Sequence, residues 1–289
     1  MIRKSMKSYP ECLSCIFGQA IRTSKVASNN PEEWEKVIRR LAERVKEMDL
    51  DRDTPAAVSQ HVYDIVTEVT GNQDPYRKMK VETNKQAKEL LPKLENLVFA
   101  SKDPLSRAVH IAVAGNIIDF GINPDLKVER DVLPIADQNF AIDNIEQFRN
   151  ELKPGTEVLY IADNSGEIIF DRVLIEELIQ LGTEVTFAVK SSPIINDVTM
   201  EDAEFAGITE IAKVIETGSG HMGVNWEHTS EEFRHYFTRA AVIISKGHAN
   251  FETLSEYRQN IYFLLKTKCT CVARELGVSL GDIIFKRQT

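Results

Sequence analysis

The sequence predicts an α/β fold, a mostly parallel sheet covered by helices on both faces and attached to an all-helical N-terminal region. Short apolar runs rich in β-formers alternate with amphipathic stretches from Glu157 onward. Each run ends in a polar loop, as strands do when helical crossovers return the chain to a parallel sheet. The first hundred residues carry helix-starting signals instead. We place a helical region at 1–105 and an α/β domain at 106–289.

In the helical region, Asn30-Pro31, Thr54-Pro55, Asp74-Pro75 and Asp103-Pro104 each set a capping side chain before a first-turn proline. Trp34, Ile38, Leu41, Val45 and Met48 recur at helical spacing, as do Val58, Val62, Ile65, Val66 and Val69, with Gly71 as a stop. A third helix takes in Ala87, Leu90, Leu91, Leu94, Leu97 and Val98, with a kink expected at Pro92. Leu105 to Phe120 fits either a helix or an alternating strand, and the preceding Asp103-Pro104 favours helix.

The strand readings are 157–162, 184–190, 213–215, 241–244 and 261–265. The first follows a Pro154-Gly155 turn and leads into a helix running through Leu181. The second leads into a helix from about Thr199 or Met200. The loops that follow these strands gather along one sheet edge, where α/β enzymes work.

Thirty-five Lys and Arg stand against 44 Asp and Glu, a net charge of −9. That balance excludes a general nucleic-acid or anionic-membrane surface. The N-terminal stretch is broken by Lys4, Lys7 and Glu11, unlike a secretory signal. The apolar runs fall short of the roughly 20 residues of a membrane span. The reading is a soluble, cytoplasmic protein.

Asp163-Asn164-Ser165-Gly166 and Asn196-Asp197 place oxygen donors just beyond two strands. Asp163, Asn164 and Asp197 suit a hard ion such as Mg²⁺ or Mn²⁺. The same strings are ordinary turn and helix-cap composition, so both readings stay open. Lys246, Gly247 and Asn250 equip another loop to hold anionic oxygens, or form a plain strand-to-helix connection. Thr217-Gly218-Ser219-Gly220 is a weaker version of the same signal. Asn116 and Asp119, set among apolar residues, imply either a buried polar network or a pocket wall.

Cys12 and Cys15 have zinc-like spacing, whereas Cys269 and Cys271 are closer together; a four-thiol metal clasp, disulfides and free buried thiols all remain open. His221, His228 and His235 recur every seven residues, but Gly220, Gly223 and Asn225 argue against one continuous helix, so a shared metal is not expected.

Taken together, Asp163-Asn164-Ser165-Gly166, Ile195-Asn196-Asp197-Val198-Thr199, Gly115-Asn116 with Asp119, and Lys246-Gly247 with Asn250 resemble the metal-dependent damage-control phosphatases, formerly a domain-of-unknown-function family. The cysteine pairs resemble its microbial branch. The resemblance spans most of the chain and implies a Rossmann-like three-layer αβα domain behind helical N-terminal segments. It implies a divalent ion (Mn²⁺ or Mg²⁺, with Co²⁺ or Ni²⁺ as alternatives) on Asp163, Asn164 and Asp197. It also implies hydrolysis of small phosphorylated metabolites, sugar phosphates or damaged cofactor-related phosphates. Asp163, Asp197 and Lys246 are then the catalytic candidates, and Asn116, Asn196, Lys246, Gly247 and Asn250 the substrate-binding ones. The competing readings are an S-adenosylmethionine-dependent methyltransferase, which Rossmann-like sheets also host, and a noncatalytic metabolite or metal sensor.

Overall fold

A computed structural model describes residues 6–116, 130 and 132–288. The N-terminal segments are α1 (Pro10–Ala27), α2 (Pro31–Arg44), α3 (Pro55–Thr70), α4 (Arg77–Phe99) and α5 (Pro104–Gly115). Next come α6 (Leu133–Ala136), β1 (Ile142–Asp143), α7 (Ile145–Glu151), β2 (Glu157–Ile161), α8 (Glu167–Gln180), β3 (Glu184–Val189), α9 (Met200–Ala206) and β4 (Lys213–Glu216). The chain finishes with α10 (Glu231–Arg239), β5 (Val242–Lys246), α11 (His248–Leu254), β6 (Ile261–Lys266), α12 (Thr270–Leu276) and β7 (Ile283–Arg287).

Three of the four Pro signals act as expected. Asn30, Thr54 and Asp103 each accept a backbone N–H at 3.1 Å and open α2, α3 and α5. The fourth is displaced: α4 begins at Arg77 with Tyr76 at its cap, two residues past Pro75. Gly71 ends α3 in the left-handed region, at φ 70. The Leu105 segment is helical as far as Gly115, and Asp119 lies outside the described residues.

The sheet order is β1-β7-β6-β5-β2-β3-β4. Every pairing is parallel except β6 with β7. The expected mostly parallel α/β fold is therefore present, with strands β4-β3-β2-β5-β6-β7 in doubly wound order. The sequence reading missed β1, which is two residues long, and β7, which pairs antiparallel with β6; both lie outside the strand-then-helix rhythm.

Side-chain alternation distributes β2 between two apolar layers. Val158, Tyr160 and Ala162 pack with α4, α5 and α8, whereas Leu159 and Ile161 pack with α10, α11 and α12. A third cluster lies among α1, α2 and α3 around Val37, Leu41, Val58, Val62 and Ile65. Its α2 stripe is Val37 and Leu41, while Trp34 instead donates its indole N–H to Ser28 O at 2.8 Å.

Candidate active site

From β2 the chain winds one way to β3 and β4, and from β5 the other way to β6 and β7. The crossovers from β2 and β5 therefore leave in opposite directions, which opens a crevice at the C-terminal ends of the two strands. Asp163 follows β2 and Gly247 follows β5. A Cβ on Gly247 would overlap the Asp163 carboxylate, and the residue sits at φ 76, so both space and backbone call for glycine. Asn250 in α11 donates to Ala162 O at 2.9 Å and Lys246 O at 2.8 Å, fixing the crevice wall.

The loop after β3 is stitched to the loop after β2. Ser165 N donates to Asn196 O at 2.8 Å, Val198 N donates to Asp163 O at 2.9 Å, and Asn164 and Asp197 form an isolated antiparallel bridge. The structure thus brings Asp163, Asn164, Asn196 and Asp197 together, with Asn196 contributing its backbone carbonyl. From the N-terminal side, Asn84 of α4 accepts Gly166 N at 2.6 Å and donates to Asp202 at 2.8 Å. Lys80 pairs with the same Asp202 at 2.7 Å. Helix α4 therefore braces both loops.

Two amides bridge the acids. Asn116 Nδ2 donates to Asp163 Oδ2 at 2.9 Å and Glu167 Oε2 at 3.0 Å, and Asn164 Nδ2 donates to the same oxygens at 2.7 and 3.1 Å. Beneath them Lys246 lies 2.6 Å from Glu167 Oε1, is ion-paired with Asp171, and donates to Ala112 O at 3.0 Å. All three ammonium protons have partners and the residue is 0% exposed.

Lys246 therefore occupies a different place from the loop-facing position suited to phosphate. Strand β5 extends through it, and period-two alternation turns its side chain inward with Val242 and Ile244. Lys190, which directly follows β3, is a cation beside Asp197. It is 3.6 Å from Asp197 Oδ2 and hydrogen-bonded to Gly223 O. A lysine closing an apolar strand was the available sequence signal for it. Asp171, the other unanticipated member, lies one helical turn after Glu167 on α8.

Burial, with Glu167 and Asp197 close by, pushes the Asp163 carboxyl well above its usual range. Burial pushes Asp197 up to about 6, against the pull of Lys190 and Lys80. Asp171 is pushed up to about 7 by burial, partly offset by Lys246. For Glu167 burial acts upward too, but Lys246 wins and holds it below its ordinary value. Four acids, Asp163, Glu167, Asp171 and Asp197, thus cluster around Lys190 and Lys246, with Lys80 and Lys268 also acting on them, and three of the four are held above their ordinary range.

The raised, buried carboxyls of Asp163 and Asp197, an all-oxygen donor set and the buried, unpartnered Asn116 Oδ1 and Asn250 Oδ1 fit a hard divalent cation. Among the described residues no three His, Cys, Asp or Glu side chains form an ion-holding group, so amide oxygens would have to complete the set offered by Asp163 and Asp197.

The other candidates stand apart from this crevice. Thr217–Gly220 lies beyond β4, where Gly218 N donates to Ser191 Oγ at 2.7 Å. His221 and His228 stack at 4.4 Å, and His235 belongs to α10. The four cysteines are free; Cys12 and Cys271 are buried, Cys15 is exposed. Cys12 and Cys269 Sγ accept helix N-terminal amides from Tyr9 and Val272, each at 3.4 Å.

The damage-control phosphatase ARMT1-like domain model matches residues 8–284. The chain is 37% identical to an uncharacterized protein of Methanocaldococcus jannaschii, covering 98% of this chain and 97% of that one. It is 35% identical to a damage-control phosphatase of Pyrococcus horikoshii, covering 98% of each. The crystal structure of a Pyrococcus horikoshii protein of the DUF89 family superimposes with a TM-score of 0.91 at 34% identity, over 98% of this chain and 100% of that one.

Proposed function

The chain belongs to the damage-control phosphatase ARMT1-like family, and from that premise we propose that it is a divalent-metal-dependent phosphomonoester hydrolase of small phosphorylated metabolites, sugar phosphates or damaged cofactor-related phosphates among them. The observation that carries the reading is the cluster of buried carboxyls at the crevice where β2 and β5 part, with Asp163 and Asp197 both pushed upward.

Asp163, Asn164 and Asp197 would hold a Mn²⁺ or Mg²⁺ ion. Such an ion polarises a phosphoryl oxygen and lowers the pKa of water. The chain's own residues do the positioning. Asn116 and Asn164 lock the Asp163 carboxylate against Glu167, and Lys246 neutralises that acid from below, so its role is support rather than substrate contact. Lys190, beside Asp197, offsets charge developing on a transferring phosphoryl group. Gly247 and Asn250 shape the wall that phosphate would approach. The four free thiols accord with a reducing, cytoplasmic setting.

The test is phosphate release from a metabolite panel with Mn²⁺ or Mg²⁺, comparing wild type with Asp163→Ala and Asp197→Asn. Each variant is expected to lose at least about 100-fold in kcat. Unchanged release by both rejects the centre.

A further inference from the structure

A cavity of about 740 Å³ opens between α3 and the loops after β3 and β4. Ser192–Ile195 form one wall, and Ile195 runs directly into Asn196 and Asp197. Ile195 is the non-glycine residue with positive φ, 46, among the described residues, a costly conformation for a β-branched side chain. Tyr63 of α3 faces this loop across the cavity, and since Ile195 in the wall stands two residues before Asp197, the void lies beside the loop that carries the carboxylate of the proposed centre. The void adjoins that loop on one side and opens to solvent on the other, a placement that suits the organic part of a substrate.

Its lining mixes apolar and polar side chains, and the charged ones are one-sided. Thr23 and Tyr76 hydroxyls bond at 2.9 Å. Asp74 Oδ1 and His221 Nδ1 are buried without a hydrogen-bond partner. Asp64 accepts a neutral amide, Gln60 Nε2 at 2.9 Å, while Glu68 is drawn to Arg40 at 3.1 Å. Among the described residues no Lys or Arg lines the cavity; Arg22 reaches Tyr63 only electrostatically. A second phosphate or a carboxylate entering here would face Asp64 and Asp74 with no cation in the wall.

Resting on the phosphatase reading, we infer that this cavity receives the leaving group of the phosphoester and that Asp64 and Asp74 make it select a neutral or amine-bearing hydroxylated group over an anionic one. Tyr63, Tyr76 and His221 supply hydrogen bonds to its hydroxyls. Selection works by repulsion as much as by attraction.

Two measurements test it on the full chain. With Mn²⁺ present, kcat/KM for a hexose monophosphate should exceed that for the corresponding hexose bisphosphate by about tenfold or more, and Asp64→Asn combined with Asp74→Asn should shrink that ratio about tenfold, chiefly through KM. Independently of turnover, calorimetric titration should show D-glucosamine binding more tightly than D-gluconate, a preference lost in the same double variant. Equal handling of the mono- and bisphosphate, an unmoved ratio in the double variant, or preference for gluconate overturns the inference. Glucosamine preference without phosphate release from any substrate sinks the phosphatase reading and leaves the pocket's charge selection standing.

Discussion

Lys246 Nζ sits 2.6 Å from Glu167 Oε1, with both side chains essentially excluded from solvent. This pair joins the crevice to the core, because Glu167 Oε2 meets the amides of Asn116 and Asn164 while Lys246 also holds Asp171, which accepts the Tyr160 hydroxyl at 2.7 Å. Removing one partner of such a network strands the others as unpaired buried charge.

Lys246→Met should therefore lower unfolding free energy by about 3–5 kcal/mol, read by chemical denaturation. Adding Asp171→Asn should recover part of the loss, since one stranded acid is then neutral. Equal stability of wild type and the single variant would show that the pair is not energetically coupled to the fold.

Gly247→Ala should cost about 100-fold in activity, because a methyl group displaces the Asp163 carboxylate it would overlap. Gly71→Ala is the control. It shares the left-handed backbone, at φ 70, but meets open space. It should cost about 1 kcal/mol of stability and leave kcat and KM alone. Matching kinetic losses in the two variants would remove the steric explanation.

Glu252 gives the fold a pH dependence. The side chain is buried, with Ala56 N as its backbone donor, and burial raises its pKa from 4.5 to about 8. The native state then keeps a proton that the unfolded chain releases above 4.5. Its contribution is full below that pH, falls as pH rises toward 8, and is lost above it, with a slope on the order of 1 kcal/mol per pH unit. Glu252→Gln should flatten this part of the stability profile between pH 5 and 8, measured by urea titration. A profile identical to wild type would contradict it.

Divalent ions should raise the melting temperature. An ion bound only by the native state at 100 times its Kd adds about 2.7 kcal/mol, a shift on the order of 5 °C. In Asp163→Asn the Mn²⁺-dependent shift should vanish, and chelator should return wild type to its ion-free value. An equal shift in both proteins would place the binding elsewhere.

Much of the architecture follows from short-range pattern. Asn30, Thr54 and Asp103 cap helices because their side chains reach amides two or three residues away, a geometry set by neighbours in sequence. The runs around Leu159, Phe187, Ile215, Ile243 and Phe263 read as strands because a sheet covered on both faces asks for apolar residues at successive positions. Asp163, Asn164 and Asp197 were legible as loop residues beyond strands for the same reason.

What local pattern left open was partnership across the chain. Whether Lys246 faces phosphate or core depends on how far β5 extends and on which helices lie beneath it. Glu167 and Asp171 become its counter-ions only once α8 packs under the sheet. Lys190 and Tyr63 likewise acquire meaning when loops from β3 and β4 meet α3. Sequence alone determined the starts of α2, α3 and α5, the strands β2 to β6 and the edge where oxygen donors collect, because those rest on periodicity and capping. The tertiary fold decided which charges neutralise one another and which remain exposed to a ligand, because electrostatic energy depends on distance and burial, and neither is encoded in spacing along the chain.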